Sequence, residues 1–403
     1  MLRRRAFLQS LAALVATSSG ARHVWAGAKG PRVGVVGGGI VGSSIALHLA
    51  QAGARVTLFE KVAPARGGAT QNSFGFINIF DLDRTYQQLR LQSYLAYRDI
   101  DVPLGLGVTW GGYINWASSK AEAGEVRALA ATLDGTPYEV RRIGAEEFRR
   151  ISPAVEPGPL EAAFYSPFAA HVDPVWATYR MLEHARALGA DIRYPSEVLA
   201  IERRAGRLAG VSTAEGRVAL DRLVVAAGID SRALLAMLGY HLRLRHAPGI
   251  LAHSVPIPEL TKLVYDGPDE LEFKQMASGS IVGEWHFEPP DIPAHRDIRA
   301  HVTDYPNAAL RAEHGRRILE RIGTVMPGAR GVTLERLTLG FRPMPIDGFP
   351  IVGAVPEARD VYMAVTHSGI TLAAILGRYI SREILTETPV PALAPYRPTR
   401  FST

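Results

Sequence analysis

The sequence predicts an α/β fold with two sheet domains, one mostly parallel and doubly wound, the other mainly antiparallel. A short β-branched apolar run at residues 32–36 leads directly into a glycine-rich turn at residues 37–42. A second such run, at residues 55–59, follows after one helix length, which is the pattern of a strand–helix–strand unit with a buried parallel sheet. Residues 262–287 contain short strand-like runs separated by turn residues, and this pattern predicts antiparallel pairing.

The composition is that of a globular protein of about two domains behind a basic leader. The chain has 403 residues, of which 47% are hydrophobic and 21% charged. Its formal net charge is +6, but residues 1–30 contain five basic residues and no acidic one. The remainder is nearly neutral, so the charge does not predict nucleic-acid binding. The absence of cysteine excludes disulfides, thiolate zinc sites and iron–sulfur clusters, and we predict no metal site.

The leader, residues 1–30, has the features of a signal peptide. It has a basic start, an apolar run at residues 11–16 and small residues at Ala26 and Ala28. The run is too short to cross a bilayer core, which needs around 20 apolar residues. An arginine pair followed by x-Phe-Leu resembles a twin-arginine signal, which exports folded proteins. We therefore expect a periplasmic protein, soluble or peripheral, that is a client of the twin-arginine export machinery. The alternative is a disordered basic tail.

The first motif after the leader predicts a dinucleotide site in a Rossmann-like domain. Gly37 permits a tight strand-to-helix turn, Gly39 lets backbone amides approach a pyrophosphate, and Gly42 permits close helix–strand packing. The following helix is predicted over residues 43–52, and its N-terminus favours phosphate. Glu60, at the end of the second strand, is placed to accept hydrogen bonds from ribose hydroxyls. An acid there repels a 2′-phosphate, so FAD or NAD is expected rather than NADP.

Three later motifs distinguish between FAD and NAD. Residues 66–75 form a loop of small and hydroxyl-bearing residues, and an apolar strand ends at Gly228. Near the C-terminus stand the segments 340–353 and 361–373. Together with the glycine turn, these motifs resemble those of the D-amino acid oxidase and glycine oxidase family of flavoenzymes, especially its bacterial D-amino acid dehydrogenase branch. The resemblance spans nearly the whole chain after the leader and implies FAD.

The resemblance also implies how FAD is held and which residues form the site. Some relatives attach FAD through a cysteine, or through a histidine near the loop. This chain has no cysteine and no histidine at residues 70–72, so we expect noncovalent FAD. Val198, which we expect in the strand after Pro195, resembles the family's adenine-contacting valine. The predicted cofactor-binding residues are Gly37, Gly39, Ile40, Val41, Gly42, Glu60, Lys61, Thr70, Ser73, Val198, Gly228, Gly369, Ile370 and Thr371.

Two residues are candidates for contact with the substrate. Arg342 occupies the place of the family's arginine that clamps the substrate carboxylate, and a guanidinium matches a carboxylate bidentately. A structural ion pair is the alternative for Arg342. His367 is a candidate base, or else a polar turn residue. Residues 369–371 resemble the family's helix start at the flavin pyrimidine edge, where a helix N-terminus would stabilise negative charge. Four aromatic candidates for a lid, each more readily explained by sheet packing, are Tyr265, Phe273, Trp285 and His286.

The motif positions divide the chain into interleaved segments. The FAD-binding domain is predicted from residues 31–99, 173–245 and 335–403, and the substrate domain from residues 100–172 and 246–334. Further local predictions concern a helix from Asp173-Pro174 to Ala187, turns at Asp266–Pro268 and Ser278–Gly279, and a Pro-rich tail at residues 389–398 that is a surface strap or a frayed end.

The predicted function is FAD-dependent oxidation of the C–N bond of an amino acid or related carboxylate-bearing amine, by hydride transfer to flavin N5. Three alternatives stay open. The first is a secondary-amine oxidase of the N-methyl amino acid type. The second is a non-catalytic flavin-binding accessory protein. The third is an NAD-dependent dehydrogenase, which leaves the C-terminal motifs unexplained. The electron acceptor can be oxygen, a quinone or a redox partner.

Overall fold

The computed structural model describes residues 30–285 and 308–401. The predicted signal peptide, apart from Gly30, and His286 lie outside these residues. None of the helices within the described ranges combines the length and apolarity of a membrane span.

The described residues form helices and strands in alternation. The helices are α1 (Ile40–Gln51), α2 (Arg84–Leu104), α3 (Lys120–Ala131), α4 (Ala145–Ile151), α5 (Pro174–Ala187), α6 (Ser231–Ala236), α7 (Ala308–Val325) and α8 (Gly369–Thr386). The strands are β1 (Arg32–Val36), β2 (Arg55–Phe59), β3 (Phe76–Asn78), β4 (Tyr113–Ala117), β5 (Arg141–Arg142), β6 (Ala162–Ser166), β7 (Ala169–His171), β8 (Asp191–Arg193), β9 (Ala200–Arg204), β10 (Arg207–Thr213), β11 (Gly216–Ala219), β12 (Arg222–Val225), β13 (Leu244–Arg245), β14 (Pro248–Ser254), β15 (Val264–Gly267), β16 (Leu271–Gln275), β17 (Ile281–Trp285), β18 (Leu334–Phe341), β19 (Met344–Pro345), β20 (Ile351–Val355) and β21 (Ala358–Val365).

A six-stranded sheet carries the glycine-rich turn. Its strand order is β20-β21-β12-β1-β2-β8, and only β20 pairs antiparallel to its neighbour. These strands come from three separated parts of the chain. On one face the sheet packs against α1, which in turn contacts α5 and α8. On the other face it packs against the small sheet β9–β11 and α6. This is the doubly wound α/β arrangement, which the sequence predicted.

Local chemistry fixes where two of the helices begin. Asp173 accepts hydrogen bonds from the amides of Val175 (2.9 Å) and Trp176 (3.0 Å), with Pro174 as the first helical residue of α5. This helix has the predicted ends. Helix α1 begins at Ile40, three residues earlier than predicted, because Gly39 is its N-cap residue and accepts the first intrahelical bond, from the Ser43 amide (2.9 Å).

The second sheet has eight strands in the order β18-β14-β17-β16-β15-β4-β6-β5. All pairs are antiparallel except β15–β4. One face packs on α7 and α4, and there Tyr265 and Phe273 are fully buried and stacked, with ring centroids 4.7 Å apart. These two rings therefore serve as packing. The opposite face turns toward the six-stranded sheet.

Three local differences from the sequence predictions matter for the site. Strand β15 extends through Gly267 and the turn falls at residues 268–270, so Asp266 is a strand residue and not a turn residue. Val198 lies in the connection between β8 and β9 rather than in a strand, although it is buried. Strand β18 belongs to the eight-stranded sheet, which therefore extends past the boundary predicted at residue 335.

The C-terminal segment is a strap on the six-stranded sheet. Residues 391–396 and 398–401 form short 3₁₀ turns, and Val390, Leu393 and Tyr396 are buried. This arrangement matches the strap and not the frayed end.

Candidate functional site

A cavity of about 890 Å³ lies between the two sheets. It begins at the carboxyl ends of β1, β2 and β12, where ligands bind in open α/β sheets, and continues under the eight-stranded sheet. Its volume lies toward the upper end of the range for ligand sites, about 300–1,000 Å³. It brings together Arg342, His367 and all the predicted cofactor-binding residues except Gly42.

The glycine turn is shaped by backbone contacts that no side chain could share. Gly37 has a φ of 109°, and a Cβ there would lie 2.5 Å from the Ala226 carbonyl oxygen. A Cβ on Gly42 would lie 2.0 Å from the Gly37 carbonyl oxygen. Gly42 thus serves the packing of α1 on β1, which explains why it does not line the cavity.

Two polar side chains fix the loop around the start of α1. The Glu60 carboxylate accepts hydrogen bonds from the amides of Gly38 (2.7 Å) and Val62 (3.0 Å). Because a carboxylate has about four acceptor sites, Glu60 keeps capacity for ribose hydroxyls. The Thr70 hydroxyl oxygen accepts a hydrogen bond from the Ile40 amide (3.1 Å), which joins the loop of residues 66–75 to the helix N-terminus.

The remaining predicted residues of this end also line the cavity. The Lys61 ammonium lies 2.8 Å from the Asp230 carboxylate, whose hydrogen bond raises the pKa of Lys61. Val198 and Gly228 lie at the same end. The Ser73 hydroxyl oxygen accepts a hydrogen bond from the Gly75 amide (3.2 Å), which shapes the loop.

The start of α8 forms the other end of the cavity wall. Thr371 donates its hydroxyl to the Phe76 carbonyl (2.9 Å), and Tyr97 donates to the Ile370 carbonyl (2.7 Å). Ser368, the N-cap residue, makes no side-chain capping bond, so the first-turn amides are available to an acceptor. Thr366, which the sequence analysis missed, is 4% exposed, and its hydroxyl has no hydrogen-bond partner among the described residues.

Arg342 lies in the cavity wall at the end of β18. Its guanidinium donates to the Pro248 carbonyl (3.2 Å), and its backbone amide donates to the Ala247 carbonyl (2.9 Å). These bonds fix the direction of the side chain. A second guanidinium, that of Arg90, lines the cavity and donates to Asn78 (2.9 Å) and Ser368 (3.1 Å).

His367 is a neutral imidazole at neutral pH. Burial lowers its pKa to about 3, and the charges of Arg342, Arg90 and Arg245 act in the same direction. Its Nδ1 lies 3.2 Å from the Ser368 hydroxyl. An imidazole with this pKa is a weak proton acceptor at neutral pH.

Acidic side chains on the eight-stranded sheet were not anticipated as part of the site. Asp266, Glu272 and Glu284 line the same cavity as Arg342. Asp266 accepts hydrogen bonds from the Tyr113 hydroxyl (2.9 Å) and the Asn115 amide (2.8 Å). One signal for them was present, because a turn at Ser278–Gly279 pairs Glu272 with Glu284.

Comparisons with known proteins agree with this geometry. The family of FAD-dependent oxidoreductases called DAO matches residues 32–383, so the chain belongs to that family. Glycine oxidase from Bacillus licheniformis is 27% identical over 87% of this chain and 92% of its own length. Dimethylglycine dehydrogenase from Rattus norvegicus is 25% identical over 91% of this chain, which spans 44% of that longer protein. The solved structure of L-proline dehydrogenase from P. horikoshii has a TM-score of 0.81, with 22% identity over 93% of this chain and 98% of that one.

The protein is thus an FAD-dependent oxidoreductase, and its residues fit the cofactor. Positions 37 and 42 exclude a Cβ, as the tight turn and the close helix–strand packing of a dinucleotide-binding motif require. The buried Thr366 hydroxyl is a polar group that a ligand can satisfy. Glu60 and the loop of residues 66–75 would hold the adenosine and pyrophosphate end, and the start of α8 would hold the isoalloxazine end. Bound there, the flavin supplies an acceptor for two electrons and a proton.

Proposed function

We propose that this oxidoreductase oxidises the C–N bond of an amino acid or related carboxylate-bearing amine. The observation that supports this proposal is the position of Arg342. Its guanidinium is held by a backbone carbonyl in the wall of the same cavity that the start of α8 lines. Glycine oxidase, which is similar to this protein over most of the chain, is named for a substrate of this type.

In this function the chain's own residues bind and orient the substrate. Arg342 holds the substrate carboxylate through two parallel hydrogen bonds. With the carboxylate fixed there, the substrate Cα–H is directed toward the isoalloxazine end of the cavity. The sheets on either side limit water around the reacting carbon. The substrate reacts as the free amine, after its ammonium group has lost a proton to solvent, and the imine product hydrolyses in solution. No side chain therefore needs to act as a general base, in agreement with the low pKa of His367.

Anaerobic reduction of the bound flavin tests the proposal. We expect the purified holoprotein to lose its visible flavin absorbance when mixed with a carboxylate-bearing amine, and to keep it with the matching amine that lacks the carboxylate. A flavin that dithionite reduces but that no amine of a broad panel reduces would contradict the proposal and support the accessory protein instead.

Replacement of Arg342 tests the carboxylate contact. Arg342→Ala should lower kcat/KM for carboxylate substrates by about 100-fold, mainly through KM, because truncating one partner of a desolvated ion pair costs about 3 kcal/mol. Arg342→Lys should recover part of the loss, since it restores charge without bidentate geometry. The control is Arg378→Ala, whose ion pair with Asp99 lies on the surface.

A second candidate within the same chemistry is oxidation of N-methyl amino acids. Dimethylglycine dehydrogenase, a relative over 91% of this chain, is named for an N-methylated substrate. Product analysis separates the two candidates. N-demethylation releases formaldehyde and leaves a shorter amine, whereas oxidation of a primary amino acid releases ammonia and a keto acid.

We also propose that residues 1–30 export the folded flavoprotein through the twin-arginine machinery to the periplasm. The basis is the arginine pair with its short apolar run, together with cytoplasmic synthesis of FAD, which favours loading before export. Replacing Arg4 and Arg5 together by lysine should keep the enzyme, with its FAD, in the cytoplasmic fraction. Unchanged periplasmic activity would contradict this route.

A further inference from the structure

A row of three carboxylates crosses the cavity face of the eight-stranded sheet. Glu284 on β17 is directly opposite Glu272 on β16, and Glu272 is directly opposite Asp266 on β15. Directly opposed residues point to the same face, on strands about 4.8 Å apart, and all three line the cavity. Three carboxyl groups thus stand side by side on one wall of the cavity.

The surroundings of the acid row are polar and mostly buried. Tyr113 and Asn115 donate to Asp266 at one end of the row. Burial and the neighbouring Glu284 raise the pKa of Glu272 well above its usual value. Lys274, next on the same strand face, is fully buried. Burial lowers its pKa to about 7, and the nearby Glu272 and Glu284 act in the opposite direction.

The cavity mouth next to the acid row is acidic as well. Glu122 and Glu125 of α3, together with Glu270, line the same cavity. Glu125 and Glu270 are exposed, Asp266 is half-buried and Glu272 is buried. Acidic residues thus continue from the surface to the interior. A cleft lined by one sign of charge concentrates ligands of the opposite sign and speeds their entry, so this route favours a cation.

Arg342 and the acid row lie at different positions on the cavity face of the eight-stranded sheet. The Arg342 side chain lies against Gly249 of β14, and Leu251, two residues further on the same face of β14, is directly opposite Glu284. Two residues along a strand span about 7 Å, and crossing to the next strand adds about 4.8 Å. An α-amino group is one carbon away from its carboxylate. A substrate held by Arg342 is therefore placed to extend a distal group toward the row.

We propose that the acid row of Asp266, Glu272 and Glu284 binds a second, distal cationic group, so that the substrate is an amino acid with a basic side chain, of the lysine, ornithine or arginine type. The inference rests on the proposed function and specifies its substrate class. The distal cation is held by charge-assisted hydrogen bonds and takes no part in bond breaking. The reacting amine stays away from the carboxylates, which would otherwise keep it protonated and unreactive.

A matched pair of substrates provides the first test. Lysine and norleucine have side chains of similar length, and only lysine ends in an ammonium group. Both enantiomers of each are mixed anaerobically with the holoprotein, and the rate of flavin bleaching is followed over a concentration series. We expect the better lysine enantiomer to exceed norleucine at least tenfold in kcat/KM, because charge-assisted hydrogen bonds are worth a tenfold factor or more. Equal or faster bleaching by norleucine would overturn the inference while leaving the proposed function intact.

A carboxylate-neutralising variant gives the second test. Glu284→Gln should lower the ratio of lysine to norleucine kcat/KM at least tenfold. The control Glu139→Gln removes an exposed carboxylate that does not line the cavity and should leave the ratio unchanged. A ratio that Glu284→Gln does not alter would show that the acid row does not select the substrate.

An equilibrium readout keeps the inference testable if a variant turns over slowly. Calorimetry of the holoprotein should show that 6-aminohexanoate, a carboxylate with a distal ammonium, binds at least tenfold more tightly than hexanoate. Glu284→Gln should abolish that difference, and equal binding of the two ligands to the unmodified protein would contradict the proposal. If neither ligand binds and no amine reduces the flavin, the proposed function fails and the inference fails with it.

Discussion

At the scale of a residue, Gly42 affects the cofactor site without lining it, because the site needs a residue without a Cβ at this position. A methyl carbon at this position would lie only 2.0 Å from the Gly37 carbonyl oxygen. Any side chain at position 42 therefore displaces the turn whose amides approach the pyrophosphate. A substitution at position 42 is therefore expected to weaken FAD binding by moving the backbone of the turn.

Gly42→Ala should give protein that binds FAD at least tenfold more weakly and melts at a lower temperature, because the turn has to shift by about an ångström to relieve the contact. The ratio of flavin absorbance to protein absorbance, and the melting temperature with excess FAD, measure both effects. Gly124→Ala is the matched control. It lies in α3 with open space around it, where alanine should stabilise the helix by up to about 1 kcal/mol. Normal FAD content in Gly42→Ala would contradict the argument.

His367 gives a second prediction at this scale. With a pKa of about 3, the imidazole does not change its charge between pH 5 and 9. The pH profile of kcat/KM for His367→Asn should therefore have the same shape as that of the unmodified enzyme, even if its height changes. A limb of the profile that disappears in His367→Asn would identify the histidine as a titrating base after all.

At the scale of elements, a buried ion pair joins the C-terminal strap to α8. Glu383 of α8 is 3% exposed and accepts hydrogen bonds from the Arg397 guanidinium, at 2.8 Å for one pair of atoms, and from the Val390 amide. The strap also contacts β20, and through Glu383 it contacts α8, whose first turn lines the cofactor site. Loss of the strap's contacts is therefore expected to affect the position of α8.

Arg397→Ala should lower the free energy of unfolding by about 2 kcal/mol. Removing the arginine leaves a buried carboxylate without its cation, and the remaining Val390 amide offsets part of that cost. Urea unfolding measures the change. Arg378→Ala, which breaks the exposed pair with Asp99, should change it by less than about 1 kcal/mol. Adding Glu383→Gln to Arg397→Ala should recover stability, and a further loss would contradict the ion-pair argument.

At the scale of the whole molecule, the sequence predicted what local chemistry determines and missed what depends on sheet register. The turn at residues 37–42 and the cap at Asp173 need only neighbouring residues, and both were predicted. The contacts of Asp266 with Tyr113 and Asn115 need the pairing of β15 with β4, whose residues lie about 150 positions apart in the chain. Asp266 was moreover assigned to a turn, because Gly267-Pro268 is a turn-like pair. Motif likeness placed Arg342 in the site, but its backbone partners came only from the structure.

Burial of histidines predicts how stability depends on pH. Burial lowers the pKa of His48 to about 4, of His171 to about 2, and of His253 and His367 to about 3. In the unfolded chain these groups titrate near 6.5. Between these values the unfolded state binds more protons than the native state, so stability falls as pH decreases below about 7. Glu272, whose pKa is raised, binds its proton earlier in the native state and offsets part of the loss.

We expect the urea midpoint of the FAD-saturated protein to fall between pH 7 and pH 5, with each buried histidine contributing at most about 1.4 kcal/mol per pH unit. His253→Gln should reduce this slope by up to one proton, since glutamine can take over the contacts with Arg336 and Thr338 without titrating. Glu272→Gln should steepen the slope instead, because it removes the opposing group. Stability that is flat or rises on acidification would contradict the assignment of neutral, buried imidazoles, and an unchanged slope in both variants would place the titrating groups elsewhere in the chain.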